Sequence, residues 1–312
     1  MGAMYPMVDT VARYGYLGVH LFFMISGFVI LLSAEGSSPR NFFASRAARL
    51  YPAFWAAATM TALATWLTNS QFAVSLHIYF INITMLAHWF NTSFVDGAYW
   101  SLAVELHFYI YVWLALQFRI LHRVEWLLTA WLLVSMANAL RPMWPVEFWL
   151  NARWAPFFVA GSACFLIRVH GHSITRTLLL IVAYVLALFY GVNETTQYNL
   201  QTPDDLNVNI VVGSITLFFV IFGAIALNRW SLKPSASITL IGVLTYPVYL
   251  LHQYLGYVLF GTLNNETALP LLSLFLTTIT IIGLAYCVHI GIEKKLGPLL
   301  RNAFITKRGG SI

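Results

Sequence analysis

Long apolar runs fill this chain, and short polar stretches punctuate them. Ten runs stand out, over 17–34, 50–68, 75–90, 99–118, 126–140, 152–168, 177–192, 208–228, 237–260 and 270–292. Most approach the ~20 residues that carry an α-helix through a hydrocarbon core of about 30 Å. In lipid every backbone polar group needs a partner within the protein, so helices are the expected element. The third run, SLHIYFINITMLAHWF, is short and carries His77, Asn82 and His88. Basic residues test whether it crosses, because they favour the cytoplasmic side. If it crosses, Arg119 and Arg123 fall opposite Arg40, Arg46 and Arg49. If it lies in the interface or re-enters, 14 of the 17 Lys and Arg share one side, and only Arg13, Arg141 and Arg153 lie outside. The outer loops 193–207 and 261–269 then carry Glu194, Asp204, Asp205 and Glu266 with no Lys or Arg. The expected fold is all-α: a polytopic transmembrane helix bundle of nine crossings plus one short interfacial or re-entrant segment. Its N-terminus is outside and its C-terminus cytoplasmic, since the 14 basic residues on one side, Lys233, Lys307 and Arg308 among them, mark the cytoplasm. No internal repeat is evident, so residues 1–312 form a single integral-membrane domain.

Composition agrees. Sixty per cent of residues are apolar and nine per cent charged, with a mean hydropathy of +0.74; soluble domains are about 25% charged. The net charge of +6 follows from loop asymmetry and calls for no nucleic-acid partner; the partner is the lipid bilayer. Cys164 and Cys287 lie in apolar runs and form no disulfide framework. The start does not read as a cleaved signal: Asp9 precedes Arg13, and no small-residue cleavage site follows the apolar run. Loops are mostly under sixteen residues, so chemistry falls to side chains in the helices or at their ends.

Intramembrane ionisable groups are costly and therefore functional candidates. Glu105 lies six residues in from Tyr99, about 9 Å below the outer surface at 1.5 Å per residue. His252 lies about 22 Å from the inner face by the same measure. A carboxylate and an imidazole at similar depth suit acid–base chemistry, or equally a buried ion pair tying two helices. Tyr246-Pro247 is expected to kink the helix beside His252. His20 and His107 are weaker candidates. Trp89, Tyr99, Trp100, Trp149 and Trp154 sit at run ends, where interface anchoring is the usual reason. Ser26, Gly27 and Phe28 give the first run a small-residue gap that admits a second helix or a ligand. Arg46 and Arg49, three apart on one helix face, either grip an anionic phosphate-bearing ligand or anchor topology on lipid phosphates. No G-x-S-x-G elbow, Walker A loop, H-E-x-x-H or metal-ligand spacing occurs, which argues against a hydrolase, an ATP-driven pump and a zinc protease, and no metal is expected.

Four stretches in order carry a resemblance. They are Gly18-Val19-His20-Leu21-Phe22-Phe23 with Ser26-Gly27-Phe28; Arg46-x-x-Arg49-Leu50-Tyr51-Pro52; Trp100-Ser101-Leu102 with Glu105 and Phe108-Tyr109; and Tyr246-Pro247-x-Tyr249-Leu250-Leu251-His252. Together they resemble membrane acyltransferase family 3, the bacterial polysaccharide and glycan O-acyltransferases. The resemblance implies transfer of an acyl group, usually acetyl, from acetyl-CoA or another acyl-CoA to a glycan or lipid-linked sugar, in the bacterial inner membrane. It implies Arg46 and Arg49 as coenzyme A phosphate ligands, with the thioester near Ser26. Glu105, His252 and His20 are the catalytic candidates. His20 replaces the family's usual Asp. The family's first helix, with its Arg-x10-His, has no counterpart: the position eleven after Arg13 is Met24. Met1, Met4 and Met7 are then candidate internal methionines, and the chain a shortened or poorly active member. Loss of that helix should leave the Ser26–Phe28 face and His20 open to lipid. A carrier of a lipid-linked sugar, relaying protons through Glu105 and His252, is the alternative from another class.

Overall fold

A computed structural model describes residues 10–202, 205–229 and 235–305. Met1, Met4, Met7, Asp204, Lys233, Lys307 and Arg308 lie outside the described residues. Thirteen α-helices follow one another among the described residues, without strands. They are α1 (Leu17–Ala34), α2 (Pro39–Leu67), α3 (Leu76–Ile83), α4 (Trp100–Gln117), α5 (Val124–Leu140), α6 (Trp144–Leu150) and α7 (Ala155–His170). After these come α8 (Ile174–Gln201), α9 (Val208–Ala226), α10 (Ala236–Leu251), α11 (Tyr254–Thr267), α12 (Pro270–Val288) and α13 (Lys294–Ile305), with a π-turn at His289–Glu293 between the last two. The all-helical expectation holds.

Five helical stretches are long and apolar enough to cross a membrane, or seven if each bent pair counts as one span. The bent pairs are α4 with α5, at 117°, and α10 with α11, at 74°. The expectation of nine counted α4 and α5 separately and added α2, which at 29 residues is not among the five. The third apolar run contains only α3. Its eight residues span about 12 Å, too short for a hydrocarbon core of about 30 Å.

Two helix bounds differ from the pattern of apolar residues, each for a local reason. Within the polar stretch 35–49 only the first four residues form a loop. Ser38 accepts the N–H of Asn41 at 3.2 Å, and Pro39 supplies a preset φ at the first position, so α2 starts eleven residues before its apolar run. At the other side α8 continues through Gln201, so Glu194 lies on a helix rather than in a loop. Asn199 ends the segment by donating to Asp205 and to the Leu206 carbonyl and by accepting the Leu206 N–H.

The chain divides into two compact units, 1–37 with 104–232 and 38–103 with 233–312. In the first, α7 is the centre, buried at every position from Ala155 to Ile167. It meets α1 backbone to backbone: a Cβ on Gly27 would stand 2.1 Å from the Phe158 carbonyl oxygen, and one on Gly161 1.9 Å from that of Met24. Ser162 donates to the Gly27 carbonyl across this seam, and Phe23 stacks on Phe158 at 4.8 Å. Of the two occupants the Ser26–Phe28 gap could admit, a helix takes it. His20 is only 1% exposed, so the expectation that it faces lipid fails; Trp154 and Phe157 pack against its ring.

In the second unit α2 is the spine. Gly297 of α13 comes close to it, where a Cβ would lie 3.2 Å from the Ala48 carbonyl oxygen. The Tyr246 hydroxyl of α10 donates to the Leu50 carbonyl.

Candidate active site

Three clusters hold the candidate residues. The first lies in the second unit around Arg46 and Arg49, about two turns into α2. Arg49 Nη1 lies 3.4 Å from Glu293 Oε1, and its guanidinium sits 5.5 Å from the Tyr246 ring centroid. The other oxygen of Glu293 is 2.7 Å from His289 Nδ1. Arg46 donates to Ser45 Oγ at 3.1 Å, and its buried Nε has no hydrogen-bond partner among the described residues. One guanidinium is thus held by a carboxylate, while the other retains an unused donor. The sequence reading missed Glu293 and His289. Their i, i+4 spacing was the available signal, and the π-turn that carries them is a form enriched at functional sites.

The second cluster surrounds the break between α10 and α11. The kink expected at Pro247 is not where the chain turns; Pro247 stays inside α10, and the bend falls at His252–Gln253. Asp96 makes this break possible. It is fully buried, and its carboxylate accepts the N–H of Ala98 at 2.9 Å and of Tyr254 at 2.8 Å, taking up donors that two helix starts leave orphaned. Burial raises the Asp96 carboxyl above the ordinary range, offset by these two N–H groups and by the nearby His252. Ser101 meets the Tyr249 hydroxyl at 2.5 Å, and Tyr99 donates to the Leu250 carbonyl at 3.2 Å. Tyr99 and Trp154, expected as interface anchors, are instead 2% and 8% exposed. His252 is exposed, with Nδ1 2.7 Å from the Tyr249 carbonyl. A carbonyl only accepts, so Nδ1 carries the proton of the neutral ring and Nε2 the lone pair.

The third cluster is in the first unit. Ser26 donates to Glu105 Oε1 at 2.5 Å and Tyr109 donates to the same oxygen at 3.0 Å, all buried. Two hydroxyls thus converge on one carboxyl oxygen. Glu105 therefore meets Ser26, a pairing 79 residues apart that spacing did not suggest. His107 is buried on another face of α4, its ring tilted against Tyr111. His20 Nε2 lies 3.5 Å from Glu194 Oε2 beside a cavity of about 450 Å³.

All-helical architecture with several helices long and apolar enough to cross a membrane defines an integral membrane protein. Among the described residues no group of His, Cys, Asp and Glu could hold a metal ion. Residues 4–289 match the family model described as an acyltransferase domain, and the chain belongs to this family, membrane acyltransferase family 3. No curated protein and no solved structure matches it.

Proposed function

We propose that this acyltransferase moves an acetyl or other acyl group from acyl-CoA to a hydroxyl of a cell-surface or lipid-linked glycan, in the bacterial inner membrane with its C-terminus cytoplasmic. The observation that carries the reading is the tautomer of His252: an exposed imidazole whose Nδ1–H is committed to the Tyr249 carbonyl offers Nε2 as a base. Nε2 takes the acceptor's proton as its oxygen attacks the thioester carbonyl. The tetrahedral intermediate collapses, the C–S bond breaks, and the imidazolium returns the proton to the departing thiolate. The products are the ester and free coenzyme A. Arg46 and Arg49 hold the donor's phosphates, Arg46 through the Nε donor that has no partner among the described residues.

Purified protein supplied with radiolabelled acetyl-CoA and a lipid-linked or polysaccharide acceptor should pass label to the acceptor. His252→Gln should lower that rate by about 10²–10⁴-fold, while coenzyme A still protects the variant against heat. Counterflow of a lipid-linked sugar without label transfer would replace the enzyme with a carrier.

A further inference from the structure

The cavity beside His20 is unused by the chemistry above. It lies wholly within the first unit, and its volume of about 450 Å³ falls in the range of roughly 300–1,000 Å³ typical of small-molecule sites. Three features define what it can hold. The first is a row of amides. Asn193, Gln197 and Gln201 follow one another at i, i+4 and i+8 along the outer part of α8 and line the cavity. Each amide offers both a donor and an acceptor.

The second is the His20–Glu194 pair. His20 is 1% exposed and its Nδ1 is buried without a partner among the described residues. A proton on Nδ1 would be buried without an acceptor and would turn the Nε2 lone pair onto the Glu194 carboxylate, so the ring proton sits on Nε2, facing Glu194. At 3.5 Å that contact is too long to satisfy either group. The pair presents one donor and one acceptor side by side, and a hydroxyl, which accepts and donates at once, satisfies both.

The third is charge. Arg153 also lines the cavity, but Glu147 already faces it, with Oε2 3.7 Å from Nε and accepting the Arg153 backbone N–H at 3.3 Å. The remaining charge is the Glu194 carboxylate, which disfavours anions. Trp154 supplies an aromatic wall of the kind that takes the C–H face of a ring. Glu194 is 38% exposed at its side chain, so the cavity can be reached from solvent.

We infer that this cavity is a saccharide site for a neutral, hydroxyl-rich ring, with one sugar hydroxyl bridging His20 Nε2 and Glu194 and others meeting the amide row. The inference stands on the cavity's chemistry, and its test needs no acyl donor, so its failure and that of the acyl-transfer proposal are separable. The full chain in detergent, without coenzyme A, is examined by saturation-transfer NMR against methyl glucopyranoside, methyl galactopyranoside, methyl mannopyranoside and glucuronate. At least one neutral glycoside should bind saturably. Glu194→Ala and Gln197→Ala should each weaken it about tenfold, the loss of one hydrogen bond to a charged or well-placed polar group, with thermal melting unchanged. Saturable binding that neither substitution alters, binding of glucuronate alone, or no saturable binding by the panel would each overturn the proposal.

Discussion

Replacing Gly161 by Ala tests the seam on which the first unit rests. The new methyl carbon would begin 1.9 Å from the Met24 carbonyl oxygen and 3.0 Å from the Phe28 nitrogen. Both are backbone atoms, so no rotamer change relieves the overlap. Ordinary contact begins near 3.4 Å, and reaching it requires α1 and α7 to part locally by about 3.4 − 1.9 = 1.5 Å. A gap of 0.5–1 Å already forfeits a quarter to a half of a dispersion contact. Phe23 and Met24, both 0% exposed, and Phe158, also 0%, line that interface. Overpacking of this kind costs about 1–3 kcal/mol or more. At about 2–4 °C per kcal/mol for 150–250 residues, melting of the detergent-solubilised protein should fall by about 2–12 °C. Gly27→Ala, 2.1 Å from the Phe158 oxygen, should behave alike. Gly223→Ala on α9 meets nothing within 4 Å and should be neutral or stabilising by about 0.5–1 kcal/mol, since Ala is the better helix former. If Gly161→Ala melts with Gly223→Ala, the close helix approach is wrong.

Other outcomes follow from the same contacts. Arg46→Ala and Arg49→Ala should each weaken coenzyme A protection against heat by about ten- to a hundredfold in affinity, at about 1.5–3 kcal/mol per lost charged hydrogen bond; unchanged protection would leave them topology anchors. Ser26→Ala removes one hydroxyl donor from Glu105 and leaves Tyr109 in place, so melting should fall by the about 0.5–1.5 kcal/mol of one hydrogen bond, and a wild-type melt would show that Ser26 does not hold it. Asp96→Asn keeps one acceptor oxygen and replaces the other by an NH2 that cannot accept, so one of the Ala98 and Tyr254 N–H groups loses its partner. Because the folded Asp96 carboxyl is raised above its unfolded value, the fold binds the proton more tightly, and stability is lost as pH rises through the folded pKa. Wild type should therefore gain on Asp96→Asn as pH falls from 7 toward 4, and a gain in the opposite direction would refute the sign. Single cysteines at Gly36 and His172 should resist an impermeant thiol reagent in intact cells, while those at Asn199 and Asn264 should label; the reverse pattern inverts the orientation.

What was legible divides by range. Apolar length placed the long helices, because a lipid-spanning helix declares itself residue by residue, but α6 and α13 lie in no apolar run and α10 and α11 read as a single one. The early start of α2 was written in Ser38-Pro39, but Arg40, Arg46 and Arg49 read as a break, since charge suggests a loop in a membrane chain. The extension of α8 was hidden in the same way: Asn193, Gln197 and Gln201 look like loop residues until their spacing of four is noticed. Glu105 stood out by its cost, yet its partner Ser26 did not, because the packing of α1 on α4 is not encoded in any local spacing. Pro247 suggested a bend five residues too early, since the turn is set by Asp96, a distant residue that takes the freed N–H of Tyr254. Family motifs pointed to Arg49 and His252, whereas Glu293 belongs to no motif and emerged only from contact.

The grip of Asp96 on the Tyr254 N–H has a consequence for synthesis. The two residues are 158 positions apart, and the second unit is itself discontinuous, its early part 38–103 completed by 233–312. At roughly 5–20 residues per second, Asp96 leaves the ribosome about 8–32 s before its partner exists. A carboxylate that ends fully buried must spend that interval in water, a headgroup layer or a chaperone's surface. The stretch around Asp96 can enter the bundle only when α11 arrives, so the last third of the chain sets the moment at which the first third finishes folding.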